Sequence, residues 1–226
     1  MAATVTNTES VTTAIGGGPR SRGGNGFHRN GGGQGDDGEP LRFSPARYRI
    51  GAWMAVGSIL MLFTALTSAY IVRSASGTDW RPIAMPKVLW LSTLLIVISS
   101  VTMEISRRSL RQQRDANYGR WLVFTAVLGL GFLASQVIAW RQLARQGVYL
   151  ASNPYNSFFY LFTAAHGLHL LGGILALAYL LVRTRQKRNT IDGELRRVGA
   201  ADAASIYWHF MDVLWVGLFF LLFFWK

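Results

Sequence analysis

The stretch Phe158–Val182, FFYLFTAAHGLHLLGGILALAYLLV, runs for 25 residues without a lysine, arginine, aspartate or glutamate. A bilayer's hydrocarbon core is about 30 Å thick and a helix rises about 1.5 Å per residue, so about 20 such residues suffice to cross it. Four further apolar runs flank it in sequence: Ile50–Val72, Val88–Ile105, Trp121–Trp140 and Ala203–Trp225. No alternating apolar–polar strand pattern competes with them, which argues against a membrane barrel. The reading is an all-α polytopic membrane protein, a bundle of five transmembrane helices. The Val88–Ile105 run is the shortest and carries Ser92, Thr93, Ser99, Ser100 and Thr102. At about 100° per residue these gather on one side, so this helix is expected to bury a polar stripe against its neighbours.

The chain around these runs is different material. Of the 24 glycines, 11 lie in the first 49 residues, where apolar side chains are sparse. Such a segment cannot offset the entropy of ordering, so residues 1–46 are expected to form a disordered Gly/Arg-rich cytoplasmic tail, with the membrane domain over 47–226. No cysteine is present, which excludes disulfides and cysteine-ligated zinc, iron–sulfur and copper–thiolate centres.

The net charge of +12 would suggest nucleic acid in a soluble chain. Here the basic residues cluster just outside the apolar runs, as in the cytoplasmic loops of a membrane protein, and no nucleic-acid partner is expected. The tail and the second and fourth loops hold 17 Lys+Arg; the other side holds 6. The positive-inside bias then puts the N-terminus in the cytoplasm and the C-terminus outside. Trp80, Trp90, Trp121, Trp140, Tyr149, Tyr155, Tyr207 and Trp225 fall near the expected interfaces. The small pairs Gly51/Ala55, Ala65/Ala69, Gly131/Ser135 and Gly172/Ala176 mark expected helix contacts.

Ionisable residues inside spans are costly and are candidate functional groups. Glu104 lies near the cytoplasmic end of the second span, where it can snorkel or pair at the edge. His166 and His169 lie in the fourth span, His209 and Asp212 in the fifth, each pair spaced i, i+3 on one helix face. Gln136 in the third span reads as an interhelical hydrogen bonder. Four roles suit the histidines and Asp212: haem ligation, a non-haem metal site, a proton relay, or a buried hydrogen-bonded lock between helices. Counting depth from the expected helix ends places His169 about 14 Å and Asp212 about 10–13 Å from the same membrane edge. If the last two helices are neighbours, His169 and Asp212 are the expected partners. A carboxylate alone at that depth costs several kcal/mol, so it must be paired or protonated.

The run His166-Gly167-Leu168-His169 with Gly172-Gly173, and the longer Tyr207-Trp208-His209-Phe210-Met211-Asp212-Val213-Leu214-Trp215, resemble subunit III of the haem–copper cytochrome c oxidases. Gly147-Val148-Tyr149 through Asn156-Ser157-Phe158-Phe159 and the set Phe132-Leu133, Gln136 and Trp140 resemble the same family. The similarity covers about residues 47–225 and matches the five-helix form, which lacks the first two of seven helices. The resemblance implies a non-catalytic subunit in a bacterial inner (plasma) membrane. It would pack on subunit I in a complex with subunit II, hold phospholipid, and protect the oxidase during turnover. Haem and copper would reside in the partner subunits and none in this chain.

Two positions depart from the family. No carboxylate occurs in Ile50–Val72, where the family often carries a buried glutamate; Gly57 or Ser58 stands there. The Gln-x-x-Glu-aromatic pattern reads Gln136-Val137-Ile138-Ala139-Trp140, so its glutamate is Ala139. Both losses favour a structural role over a relay. Rival readings are an accessory subunit of a quinol oxidase or nitric oxide reductase system, a free-standing haem carrier using His166 or His169 with His209, and a small transporter.

Overall fold

A computed structural model describes residues 46–76, 80, 87–150, 152–184 and 191–225. Among these residues the regular structure is all helical: α1 Ala46–Ser76, α2 Val88–Arg111, α3 Asp115–Arg145, α4 Pro154–Thr184 and α5 Ile191–Phe224. All five are long and apolar enough to cross a membrane. The expected tail, residues 1–46, lies outside the described residues except for the first backbone position of α1.

Each helix outruns its apolar stretch. With 31 residues, α4 spans about 46 Å, more than the hydrocarbon core. Its start is set by Pro154 at the first helical position and by Asn153 Oδ1, which accepts from the Tyr155 amide at 3.0 Å. At its other end, α5 is capped by side chains of neighbouring helices. The Tyr155 hydroxyl donates to the Leu222 carbonyl at 2.9 Å and the Tyr70 hydroxyl to the Trp225 carbonyl at 2.6 Å. Leu222 lies in the last turn of α5 and Trp225 just beyond it, where the carbonyls have no partners within the helix. Tyr70, Trp80, Tyr155 and Phe158 pack edge to face around this cap, ring centroids 5.0–5.6 Å apart for Tyr70–Trp80, Tyr70–Phe158 and Trp80–Tyr155.

The polar stripe on α2 divides: Ser92 and Thr102 line the seam of a tight antiparallel pair with α3, while Thr93, Ser99 and Ser100 meet α5. The connecting turn puts Gln113 at φ +57° and returns the Arg114 amide to the Ser109 carbonyl at 3.0 Å. Along the seam Ser92 and Ser135 hydroxyls meet at 2.7 Å and those of Thr102 and Thr125 at 2.8 Å. Ser106 donates to the Tyr118 carbonyl at 3.1 Å. Small hydroxyl side chains let the two backbones approach, and each hydroxyl is satisfied across the seam or on its own helix.

Pressed against α1, α2 and α4, α5 sends two tryptophans into the bundle. Trp208 is fully buried between Gly129 of α3 and Gly173 of α4: a Cβ at Gly129 would sit 2.9 Å from its Cη2, and one at Gly173 3.3 Å from its Cζ3. The close approaches therefore fall at Gly129 and Gly173. Of the expected small-residue contacts, Gly131 meets only Leu95 at 3.7 Å, and Gly51 and Gly172 have no neighbouring atom within 4 Å. Spacing alone could not choose between adjacent glycines; the bulk of Trp208 does.

Candidate functional site

The ionisable residues singled out in the sequence occupy three separate settings. The first is the seam between α2 and α5. Here Trp208 Nε1 donates to Ser99 Oγ at 3.1 Å, and one face further along Trp215 Nε1 donates to Thr93 Oγ1 at 3.1 Å. Between these two anchors the His209 ring reaches α2, its Nδ1 2.6 Å from Ser100 Oγ. On the other side of the ring, Nε2 lies 3.9 Å from Glu104 Oε2. Asp212, one turn deeper on α5, is 5% exposed. Neither of its carboxylate oxygens has a hydrogen-bond partner among the described residues.

Glu104 is an anchored carboxylate. Arg107 grips it in a fork, Nε to Oε2 at 2.9 Å and Nη2 to Oε1 at 3.1 Å, and Arg108 Nε adds a third contact at 3.0 Å. Arg107 also lies 3.6 Å from Asp202 Oδ1, and Arg111 holds both oxygens of Asp202 at 3.0 and 3.2 Å. The edge-paired reading of Glu104 fits this geometry. Sequence reasoning missed Asp202, which continues the network onto α5. It lies in a helical extension, residues 191–202, that precedes the apolar run beginning at Ala203. Arg197 in the same extension lies 3.2 Å from Asp115 and 4.9 Å above the Tyr118 ring. The extension is thus tied to the α2–α3 turn at two places.

The second setting holds His169. Its Nδ1 lies 2.7 Å from the Ala165 carbonyl, so that nitrogen carries the proton. The ring stands edge-on to Phe63 of α1 at 5.9 Å, and its own carbonyl accepts from the Tyr207 hydroxyl at 2.8 Å. The expected His169–Asp212 pair does not form. Depth does not fix azimuth: α4 turns His169 toward Phe63 of α1, and neither Asp212 oxygen has a partner among the described residues. What joins α4 to α5 at His169 is its backbone.

The third setting is the dry interior. His166 is fully buried between Phe132 of α3, 5.6 Å away, and Trp215 of α5, 5.1 Å away. Neither ring nitrogen has a partner among the described residues, and neither has the buried Gln136 amide one turn beyond Phe132. The expected interhelical bond from Gln136 is therefore absent. The α3–α4 polar link is made one turn further along, by Trp140 Nε1 to Thr163 Oγ1 at 3.1 Å.

These placements bear on cofactor chemistry. A haem clamp needs two imidazoles facing one another across a ring. His166 is walled in by Phe132 and Trp215, His169 is turned onto its own helix, and His209 faces α2, so the three do not converge. Among the described residues no three histidine, aspartate or glutamate side chains gather as metal ligands.

Comparison with known proteins gives one consistent result. The family model described as cytochrome c oxidase subunit III matches residues 38–226, which include all five helices. A protein named probable cytochrome c oxidase subunit 3 from Mycobacterium tuberculosis is 33% identical over 184 residues, covering 80% of this chain and 89% of the relative. Cytochrome c oxidase subunit 3 of Synechocystis sp. is 31% identical over 168 residues, covering 72% and 69%. A further relative so named, from a Bacillus species, is 25% identical over 173 residues, covering 75% and 82%.

Proposed function

Because this chain belongs to the cytochrome c oxidase subunit III family, we propose that it is the non-catalytic scaffold subunit of a bacterial plasma-membrane terminal oxidase. The complex is an oxidoreductase; in this reading it reduces oxygen to water and moves protons, and this chain carries no redox centre. Subunits I and II are its partners and hold the haem and copper, and membrane lipid fills its outer surface. The observation that carries the reading is the family match across all five helices. The dispersal of His166, His169 and His209 into three unrelated settings supports the absence of a redox centre.

The polar groups then act as ties between helices. Those from α5 to α2 run through Trp208–Ser99, His209–Ser100 and Trp215–Thr93, and the charged end adds Asp202 with Arg107 and Arg111. Interhelical hydrogen bonds in membranes are worth about 0.6–2 kcal/mol each, so several together hold a bundle whose apolar faces gain little from lipid exclusion.

The test is deletion of the chain from the oxidase. Subunit I should retain its haem spectrum and initial turnover while its active lifetime falls. Loss of the haem spectrum, or unchanged lifetime, overturns the scaffold reading. Identification of the co-purifying large subunit decides between cytochrome c oxidase and a quinol oxidase or nitric oxide reductase system.

The orientation follows from the 17-to-6 division of basic residues, which places the Arg107–Arg114 end in the cytoplasm. Alkaline phosphatase fused after Lys226 should be active and fused after Arg114 inactive. The opposite pattern reverses the topology.

A further inference from the structure

We draw no further inference here: the strongest candidate, the apolar groove of about 420 Å³ between α1 and α5 lined by Phe63, Thr64, Thr67, Phe210 and Gly217, has exposed walls at Leu60 and Val213, and nothing in the structure shows what covers it.

Discussion

Gly129→Leu should lower the apparent melting midpoint of the purified chain in detergent by roughly 2–12 °C, or prevent its recovery altogether. A Cβ at Gly129 would lie 2.9 Å from Trp208 Cη2, 3.2 Å from Cζ2 and 3.4 Å from Ile174 Cδ1. Trp208 cannot retreat. Its ring is fully buried, its Nε1 is fixed to Ser99 Oγ, and Gly173 closes its other side with Tyr207. Added methylenes in a packed core cost about 1–3 kcal/mol, and loss of the Ser99 bond adds about 1 kcal/mol. Leucine returns about 1 kcal/mol over glycine in helix propensity, leaving a net loss of about 1–3 kcal/mol. For a chain of this size each kcal/mol shifts the midpoint by about 2–4 °C. Gly172→Leu is the matched control. A Cβ at Gly172 would meet nothing from another helix within 4 Å, so the propensity gain should stand alone and the midpoint should hold or rise slightly. Equal behaviour of the two variants would remove Trp208 from its place at the centre of the bundle.

That pair of glycines shows where legibility in the sequence ends. Five apolar runs, the breaks between them and the buried hydroxyl stripe of α2 follow from composition and period, because a bilayer leaves the backbone few alternatives to helix. Helix length is less legible. Nothing forces a helix to stop where lipid stops, and α5 continues through residues 191–202 because Arg197 and Asp202 find Asp115 and the α2 arginines there. Which small residue receives a neighbour is not legible at all from spacing, since that depends on a tryptophan about 80 residues away along the chain in the case of Gly129 and Trp208.

The candidate site divides in the same way. Glu104 and its arginines are local, at i+3 and i+4, and a helix makes them neighbours whatever the tertiary fold. Depth of a residue in the bilayer is also local, because it is a count of residues from the edge. Azimuth is not. His169 is turned onto Phe63 of α1 rather than onto Asp212, and among the described residues Gln136 lacks the cross-helix bond its type suggested. Ser100 gained a partner only when α5 was laid against α2, which brought His209 Nδ1 to 2.6 Å from its hydroxyl.

His166→Leu should stabilise the chain, by about 1–2 kcal/mol, and leave the haem spectrum and initial turnover of the assembled oxidase unchanged. The position is fully buried, and both imidazole nitrogens lack a partner among the described residues. A buried polar group without its hydrogen bond costs about 1–3 kcal/mol relative to an apolar one of similar shape. Against this stand the ring contacts with Phe132 and Trp215, at 71° and 40° between planes, worth about 0.5–1.5 kcal/mol where the geometry is good. Leucine keeps most of the buried volume and itself packs on both rings, so the polar cost should dominate. His166→Gln separates the two terms. It retains hydrogen-bonding capacity and loses the ring, so it should be less stable than the wild type, with leucine above both. The measurement is the melting midpoint of the three purified chains, followed by turnover of the corresponding complexes. A leucine variant that melts below the wild type would mean that the ring contacts of His166 with Phe132 and Trp215 outweigh the cost of its two unpartnered nitrogens.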